Sequence, residues 1–354
     1  MNKKTLACVT NNMGIGGVQS LLSHVLPLLA EKYTVHLIVY KNMGELFEYL
    51  SSKGIHTHVL KSYGRFNYRT IKDYTDFFTK YRVDIVHSHS HSPNIFCPIS
   101  ARLAGVPVCI TQIHSNGFHW YSSNKLGRFK QNIEESFVAR FFADRIITIS
   151  QEMYDNYRKN MFVPKGKFAL VHNGIPFCSK DTVIMDNLRS VYRIKDNELV
   201  LGFVGRLVPG KGLEYVIQWG ESFQKSNIDF RIVIIGDGPE EYVKHLKERA
   251  LRIGDGNKIL FIGSRKSVQE YYPQFDAFIY TSDPYIEGMP TVILEAASFG
   301  LPVLARKSKS IQEIALYYQR IFFSEDFTSI SSALKTALQS RSLSLSLSLL
   351  STFL

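Results

Sequence analysis

Apolar runs of strand length alternate with stretches of helical periodicity through the first half of the chain. The strand candidates are Thr5–Val9, Thr34–Tyr40, Thr57–Leu60, Ile85–His87, Val106–Thr111, Arg145–Ile149 and Phe168–Val171. Helical periodicity between them is clearest over Val18–Leu29, Thr70–Tyr81 and Phe129–Phe142. Strands that alternate with helices predict βαβ units and therefore a parallel, doubly wound sheet.

The same alternation restarts after a polar segment that follows residue 175. The predicted strands are Leu199–Val204, Phe230–Ile235, Lys258–Ile262, Ala277–Tyr280 and Pro302–Leu304, and the predicted helices are Val216–Phe223, Glu240–Arg252 and Thr291–Phe299. The pattern predicts two α/β domains, over residues 1–175 and 199–341, joined by a linker over residues 176–198. Residues 342–354 begin with alternating Ser and Leu, whose low complexity and terminal position favour a frayed or non-native tail over a strand.

Length and composition agree with two domains. A chain of 354 residues that is 45% hydrophobic, with 23 Gly and only 12 Pro, is not disordered, collagenous or stapled by disulfides. Its cysteines, Cys8, Cys97, Cys109 and Cys178, show no metal-site or redox spacing, and apolar neighbours predict that the first three are reduced core residues. Because no apolar run is long enough for a signal peptide or a bilayer span, we expect a cytoplasmic protein.

Positive charge is concentrated in the first half. Residues 1–175 contain 21 Lys and Arg against 11 Asp and Glu, whereas the remaining residues contain 21 against 20. Such an asymmetry indicates an anionic partner, which could be a phospholipid surface, a phosphorylated substrate or nucleic acid. Nucleic acid is the weakest of the three, because the chain has no recognisable nucleic-acid module and no dense basic cluster.

Chemistry is expected on the loops after the strands, because ligands of open parallel sheets bind at the carboxyl ends of the strands. The first such loop contains Gly14, Gly16 and Gly17, which would let backbone amides approach a phosphate at the start of a helix. A dinucleotide site would need a third glycine where Gln19 stands and an acidic residue after the second strand. A phosphate or sugar contact is therefore favoured over NAD, with a plain tight turn as the alternative.

The segment Gly205–Gly212 resembles a P-loop, except that Gly212 occupies the position of the hydroxyl residue that would hold magnesium. The same loop carries two cationic residues before a helix, Arg206 and Lys211. Such a pair can bind a diphosphate without a metal ion. The alternative is two solvated cations on a surface turn.

A third signal is the segment Glu287–Glu295, in which Pro290 fits the start of a helix. The backbone amides at Met289, Thr291 and Val292 would then be free donors aimed at an anion. The two carboxylates could hold neutral hydroxyls of a sugar and a ribose. Glu295 could instead be an exposed helix residue, but its apolar neighbours predict a buried carboxylate that needs partners.

Histidines cluster after two strands of the first half. His87, His89 and His91 form an H-x-H-x-H run, and His114 follows the next strand. Alternating histidines suit zinc, but no carboxylate or cysteine stands at ligand spacing around them, so we expect no metal. We expect the strand ends to present one or two of them, and His114, to a cleft between the domains.

These segments together resemble the retaining, nucleotide-sugar-dependent glycosyltransferases of family 4, over about residues 5–315. The matching segments are Gly14–Val18, Asp84–His89, Thr111–His114, Ala143–Ser150, Val171–Ile175, Gly205–Leu207 with Lys211 and Gly212, Gly236–Pro239, and Glu287–Glu295 followed by Gly300–Val303. The resemblance implies the GT-B architecture, in which two Rossmann-like domains face each other across a cleft and the first binds the acceptor.

The resemblance also implies roles for individual residues. Arg206 and Lys211 would bind the donor diphosphate, and Glu295 would hold the ribose. Further donor contacts would come from Glu287, Gly288 and Met289 at the sugar, from Gly263 and Ser264 beside the base, and from Gly16 and His114 in the first domain. We expect a metal-independent hexosyltransferase whose donor is linked to UDP rather than GDP, with a growing surface polysaccharide or a glycolipid as acceptor and no further cofactor.

Two departures from the family pattern support an alternative. Residues 307–310 stand where family members usually carry a glycine pair, and the Ser and Leu tract stands where they usually have a helix that crosses back to the first domain. The alternative is a truncated or catalytically weak relative that only binds a nucleotide sugar or a partner.

Aromatic and basic residues occur together in two segments of the basic half. One is the helix candidate over residues 67–82, and the other contains Phe118, Trp120, Tyr121, Lys125, Arg128 and Lys130. Such composition suits a membrane interface, although the aromatics could instead pack in the core while the charges are solvated. The charge asymmetry favours peripheral binding to an anionic membrane surface at the inner face of the cell membrane.

Overall fold

The computed structural model describes residues 3–116, 124–175, 187–265, 267–283, 287–324, 326 and 329–339. The predicted tail over 342–354, residues 176–186 of the predicted linker, Cys178 and the aromatic residues Phe118, Trp120 and Tyr121 lie outside these ranges. The chain divides into two compact units, Met1–Asn173 and Gly174–Leu354.

The first unit contains a seven-stranded parallel sheet with the strand order β3-β2-β1-β4-β5-β6-β7. Its strands are β1 (Lys4–Thr10), β2 (Tyr33–Val39), β3 (His56–Val59), β4 (Ile85–His89), β5 (Val108–Ile113), β6 (Arg145–Thr148) and β7 (Phe168–Leu170). Its helices are α1 (Gly17–Ala30), α2 (Glu45–Ser52), α3 (Tyr68–Lys80), α4 (Pro93–Leu103), α5 (Lys125–Phe142) and α6 (Gln151–Asn160). The predicted doubly wound parallel sheet is confirmed.

The centre of the first sheet is covered on both faces, which explains why β1 and β2 are mostly apolar, whereas the edge strand β3 is exposed or half-buried. Ala7 and Val9 join the core cluster on the side of α3 and α4, whereas Leu6 and Cys8 join the cluster on the side of α1 and α2. All parallel strands end at the same edge, so the loops after β1, β4 and β5 are neighbours.

Three of the four cysteines lie in this core. Cys8, Cys97 and Cys109 are buried and free, and burial raises the pKa of the Cys8 and Cys109 thiols to about 12. The prediction of inert core cysteines is confirmed for these three.

Helix α3, part of the first predicted membrane segment, directs three of its four aromatic side chains inward. Tyr74, Phe77 and Phe78 are buried in the core, while Lys72 pairs with Asp76 at 2.5 Å on the exposed side. Core packing with solvated charges, the alternative considered for this segment, is therefore correct for Tyr74, Phe77 and Phe78, whereas Tyr68 at the start of α3 is exposed.

The second unit contains a six-stranded parallel sheet with the order β10-β9-β8-β11-β12-β13. Its strands are β8 (Leu199–Val204), β9 (Phe230–Ile235), β10 (Ile259–Phe261), β11 (Ala277–Tyr280), β12 (Val303–Ala305) and β13 (Ile321–Phe323). Its helices are α7 (Leu188–Val191), α8 (Leu213–Lys225), α9 (Glu240–Ala250), α10 (Thr291–Ser298), α11 (Lys309–Ala315) and α12 (Ile330–Gln339). The sequence prediction did not include α7, β13, α11 and α12.

Helix α7 falls within the predicted linker. Leu188 and Ile194 are buried, and the backbone amide of Leu188 donates to Oε1 of Gln274 at 2.8 Å. This part of the chain therefore packs onto the second unit.

In the described part of the chain, no helix combines the length and the hydropathy that crossing a membrane requires.

Candidate functional site

The loops after β8, β9 and β10 are joined backbone to backbone in the second unit. The amide of Gly205 donates to the carbonyl of Ile235 at 3.0 Å, and that of Gly236 donates to the carbonyl of Gly263 at 3.0 Å. Because these strands are neighbours in the sheet, the two predicted donor-binding loops after β8 and β10 lie at the same carboxyl edge, joined through the loop after β9.

Gly212 is required where the loop after β8 meets the end of β11. Its φ of 71° lies in the left-handed region, and a Cβ atom there would stand 2.0 Å from the carbonyl oxygen of Thr281. The hydroxyl of Thr281 also donates to the carbonyl of Lys211 at 3.1 Å. The departure from a P-loop therefore has a steric cause, since no hydroxyl residue fits at this position.

Lys211 and Glu287 form an ion pair between Nζ and Oε1. Their side chains remain 19% and 24% exposed, so solvent or a ligand can reach the pair. The loops that carry them are tied together by the amide of Asp283, which donates to the carbonyl of Gly210 at 2.8 Å. Two residues that stand 76 positions apart in the sequence thus meet at the end of β11 and the loop after β8.

Arg206 stands on the same loop as Lys211 but is exposed. Within the described ranges its guanidinium has no hydrogen-bond or ion-pair partner. The two predicted diphosphate cations therefore differ, because Lys211 is held by a carboxylate and Arg206 is free to turn toward an anion.

Helix α10 begins at Thr291, directly after Pro290, as the predicted helix Thr291–Phe299 does. In the described part of the chain, no side chain caps this helix. The amides of Thr291 and Val292 lie in its first turn, shortly after Glu287, Gly288 and Met289 in the sequence. An uncapped helix start attracts negative charge through its free N–H groups and the helix dipole.

Glu295 is buried in α10, as its apolar neighbours predicted. Its Oε2 accepts a hydrogen bond from the hydroxyl of Tyr272 at 2.7 Å, and the ring of Tyr272 stacks on Phe299 with centroids 5.5 Å apart. The expectation that this buried carboxylate needs a partner is confirmed, while its role at a ribose stays a prediction. Tyr272 had no signal in the sequence.

The glycine loop of the first unit lies between β1 and α1. Oδ1 of Asn12 accepts from the amide of Gly14 at 3.0 Å and from Nε2 of Gln19 at 3.4 Å, while Gly16 and Gly17 begin α1. Gln19 stands where a dinucleotide motif has its third glycine, and its hydrogen bond to Asn12 helps to hold the loop in place. The sugar or phosphate contacts of Gly14, Gly16 and Gly17 stay predictions.

Three of the predicted histidines form a cluster at the ends of β4 and β5, in which His89 is buried and His87 and His114 are half-buried. Nδ1 of His89 lies 2.9 Å from Nε2 of His114, and the rings of His87 and His89 are 4.2 Å apart. Burial lowers the pKa of His87 to about 4 and that of His114 to about 3. At neutral pH the cluster is therefore uncharged.

His91 belongs to a different network, although it continues the H-x-H-x-H run. Its Nδ1 pairs with Glu135 of α5, and its Nε2 contacts Arg65. Within the described ranges, no group of three or more His, Cys, Asp or Glu side chains is arranged to hold a metal ion.

Two family sequence models match consecutive parts of the chain. The model described as Glycosyltransferase Family 4 matches residues 15–177. The model described as Glycosyl transferases group 1 matches residues 185–348. Together they span nearly the whole chain.

Two known proteins with similar sequences are named as glycosyltransferases. The chain is 29% identical over 302 residues to the UDP-Gal:alpha-D-GlcNAc-diphosphoundecaprenol alpha-1,3-galactosyltransferase of Escherichia coli, an alignment that covers 82% of this chain and 76% of that protein. It is 25% identical over 229 residues to the putative glycosyltransferase EpsF of Bacillus subtilis, covering 63% of this chain and 57% of that protein.

Solved structures share the fold. Anabaena Alr3699/HepE in complex with UDP-glucose superposes with a TM-score of 0.76 at 17% identity, covering 95% of this chain and 90% of that one. A sucrose-phosphate synthase from Thermosynechococcus elongatus gives a TM-score of 0.71 at 17% identity, covering 96% and 90%. At 17% sequence identity, these similarities show only that the strands and helices are arranged in the same way.

Proposed function

Because this chain belongs to the glycosyl transferases group 1 family and has the GT-B fold, it is a glycosyltransferase, and we propose that it transfers a hexose from a nucleotide diphosphate sugar with retention of configuration. The observation that carries the proposal is the ion pair of Lys211 and Glu287 beside the uncapped start of α10. A cation, a carboxylate and free amides together suit a diphosphate joined to a sugar.

The reaction breaks the bond between the anomeric carbon and a diphosphate oxygen, and it forms a bond from the same carbon to the acceptor oxygen on the same face of the sugar. The acceptor proton passes to the leaving diphosphate, so no protein nucleophile is required. Arg206, Lys211 and the amides of α10 stabilise the negative charge that develops on the leaving group.

The remaining predicted residues complete the donor site of this proposal. Glu287 accepts hydrogen bonds from sugar hydroxyls, and Glu295 holds the ribose. Gly263 and Ser264 border the base. The connected loops after β8, β9 and β10 support the part of this assignment that concerns Arg206, Lys211, Gly263 and Ser264, because these residues stand on the first and the last of the three loops.

We favour a UDP-linked hexose as donor and a lipid-linked or polysaccharide acceptor. The name of the E. coli relative states that it uses UDP-Gal and a diphosphoundecaprenol acceptor, and the Anabaena structure contains UDP-glucose. A lipid-linked acceptor would require work at a membrane, so we propose a peripheral protein at the inner, anionic face of the cell membrane. The basic first half supports this placement.

A panel of UDP and GDP sugars, screened by the melting temperature of the purified protein, tests the donor assignment. The sugar that stabilises the protein most is then tested for transfer with and without EDTA. We expect transfer to survive chelation, because the loop carries Gly212 in place of a magnesium-binding hydroxyl. Activity that EDTA abolishes and manganese or magnesium restores would overturn the metal-independent mechanism. Donor binding with neither transfer nor donor hydrolysis would support the binding-only alternative.

A further inference from the structure

Helix α5 of the first unit has its apolar side chains on the outside. Five large apolar residues of this helix are between 44% and 78% exposed, namely Leu126, Phe129, Ile133, Phe137 and Phe141. Its buried positions are instead small or polar, namely Gln131, Ser136, Val138 and Ala139. A surface helix normally buries its apolar stripe and exposes its polar side, so α5 is inverted.

The exposed residues form one continuous stripe. They recur at spacings of three and four positions, which places them on one side of a helix. The rings of Phe137 and Phe141 contact each other with centroids 5.0 Å apart. Phe162 is also exposed, and its carbonyl accepts a hydrogen bond from Arg140 of α5 at 3.4 Å. Exposed apolar surface of this extent marks an interaction site.

The charges on this side of α5 are all positive. Lys130 and Arg140 are exposed among the apolar residues, and Lys125 stands at the start of the helix. The two acidic residues of α5 are half-buried and paired, Glu134 with Arg65 at 3.0 Å and Glu135 with His91, so they add no exposed negative charge to this side.

We propose that this α5 face, defined by the five apolar residues with Lys130 and Arg140, inserts shallowly into the headgroup region of an anionic lipid bilayer. A helix that lies in the membrane plane buries Phe and Leu side chains near the acyl chains while Lys and Arg reach the phosphate groups. The inference goes beyond the transfer reaction. It rests on the proposed function only for its setting at a membrane.

A second copy of the chain fits this surface less well. In a two-fold symmetric dimer the α5 face would meet itself, so Lys130 and Arg140 would approach like charges. Within Lys125–Phe142 no acidic residue lies on the exposed side to compensate them.

Vesicle flotation tests the proposal with the full-length protein. We expect binding to phosphatidylglycerol vesicles and much weaker binding to phosphatidylcholine vesicles at low salt. Phe129→Ser combined with Phe137→Ser should weaken binding at least about tenfold. The matched control is Leu251→Ser combined with Leu316→Ser, which removes two exposed leucines from the second unit.

The cationic part of the face is tested in the same assay. Lys130→Gln with Arg140→Gln should remove most of the preference for anionic lipid, whereas Lys225→Gln with Lys244→Gln, both exposed in the second unit, should not. Phe137→Trp reports insertion directly, since its emission should shift to the blue on anionic vesicles and be quenched by brominated acyl chains.

Equal vesicle binding by the wild type and the Phe129→Ser, Phe137→Ser variant would overturn the proposal, and so would a wild type that does not bind anionic vesicles. A dimer that this variant dissociates, without any vesicle binding, would assign the face to a second copy. The melting-temperature response to the donor is measured on every variant. A wild type that binds vesicles but no nucleotide sugar would overturn the proposed transfer and leave this inference intact.

Discussion

Nδ1 of His89 lies 2.9 Å from Nε2 of His114, so one of these rings donates a proton that the other accepts. Burial lowers the pKa of both side chains, that of His114 to about 3. Protonation of the donor ring leaves this bond intact, whereas protonation of both rings would place two N–H groups against each other. Desolvation by burial therefore favours the neutral rings at the end of the sheet that carries the predicted contact residue His114.

We expect the first unit to lose stability as the pH falls from about 6.5 toward 4. An unfolded histidine titrates near 6.5, whereas burial lowers the pKa of His36 to about 4 and that of His114 to about 3. The unfolded state therefore binds more protons in this window, and the folded state is favoured above it. Hydrogen exchange of the β1 and β4 amides, corrected for the intrinsic pH dependence of exchange, measures the loss.

Substituting a histidine identifies the source of this pH dependence. His36→Phe should reduce the slope of protection against pH, because it removes a buried group whose Nδ1 pairs with His58 at 3.0 Å. His245→Gln, at an exposed position of the second unit, is the control and should leave the slope unchanged. Protection that stays constant across the window would contradict the assignment.

Lys211→Ala should lower turnover by roughly a hundredfold, because it removes a charge-assisted contact to the leaving diphosphate. Stability should change little, since the pair of Lys211 and Glu287 is partly exposed and solvent weakens its attraction. Steady-state rates and thermal unfolding measure the two effects. Lys225→Ala removes an exposed lysine from α8 and serves as the control. Equal turnover in Lys211→Ala and the wild type would exclude a role for Lys211 at the diphosphate.

Gly212→Ser would give the loop the hydroxyl residue of a P-loop sequence. We expect this substitution to destabilise the second unit by about 2–4 kcal/mol. Its Cβ atom would collide with the carbonyl of Thr281 in a backbone that already has positive φ. Gly54→Ala separates the two causes, because Gly54 also has positive φ but open space around it, so it should cost about 1 kcal/mol. Urea unfolding compares the variants. If Gly212→Ser and Gly54→Ala lower the free energy of unfolding by similar amounts, the second unit must have adjusted to avoid the collision with Thr281.

Features of the site that depend on local sequence could be predicted. The position of Pro290 predicted where α10 begins, and the apolar neighbours of Glu295 predicted that its side chain is buried. The glycines and cations before α8 marked a loop at a strand end. In each case the feature depends on the φ angle of one residue or on the cost of burying a charge. Both effects are determined by residues that are close in sequence.

Features that depend on distant segments could not be predicted. The contact of His89 with His114 requires the register of β4 and β5, in which His89 stands opposite Gln112. Tyr272 reaches Glu295 from a short turn without periodicity. Helix α5 was predicted as a helix, but an apolar stripe ordinarily indicates the buried side, and only the fold shows that this one is exposed.

Tyr272→Phe should separate the structural role of Glu295 from its predicted role at the ribose. Loss of the hydroxyl removes a hydrogen-bond donor from a buried carboxylate, so we expect a loss of stability of about 1–3 kcal/mol. Tyr318→Phe is the matched control, because that buried hydroxyl donates to the neutral carbonyl of Leu301 at 2.7 Å and its loss should cost less. If Glu295 also holds the ribose, Tyr272→Phe should raise KM for the donor several-fold while Tyr318→Phe leaves it unchanged. An unchanged KM together with the stability loss would restrict Glu295 to a structural role, because a carboxylate that had lost its positioning donor could not bind the ribose as before.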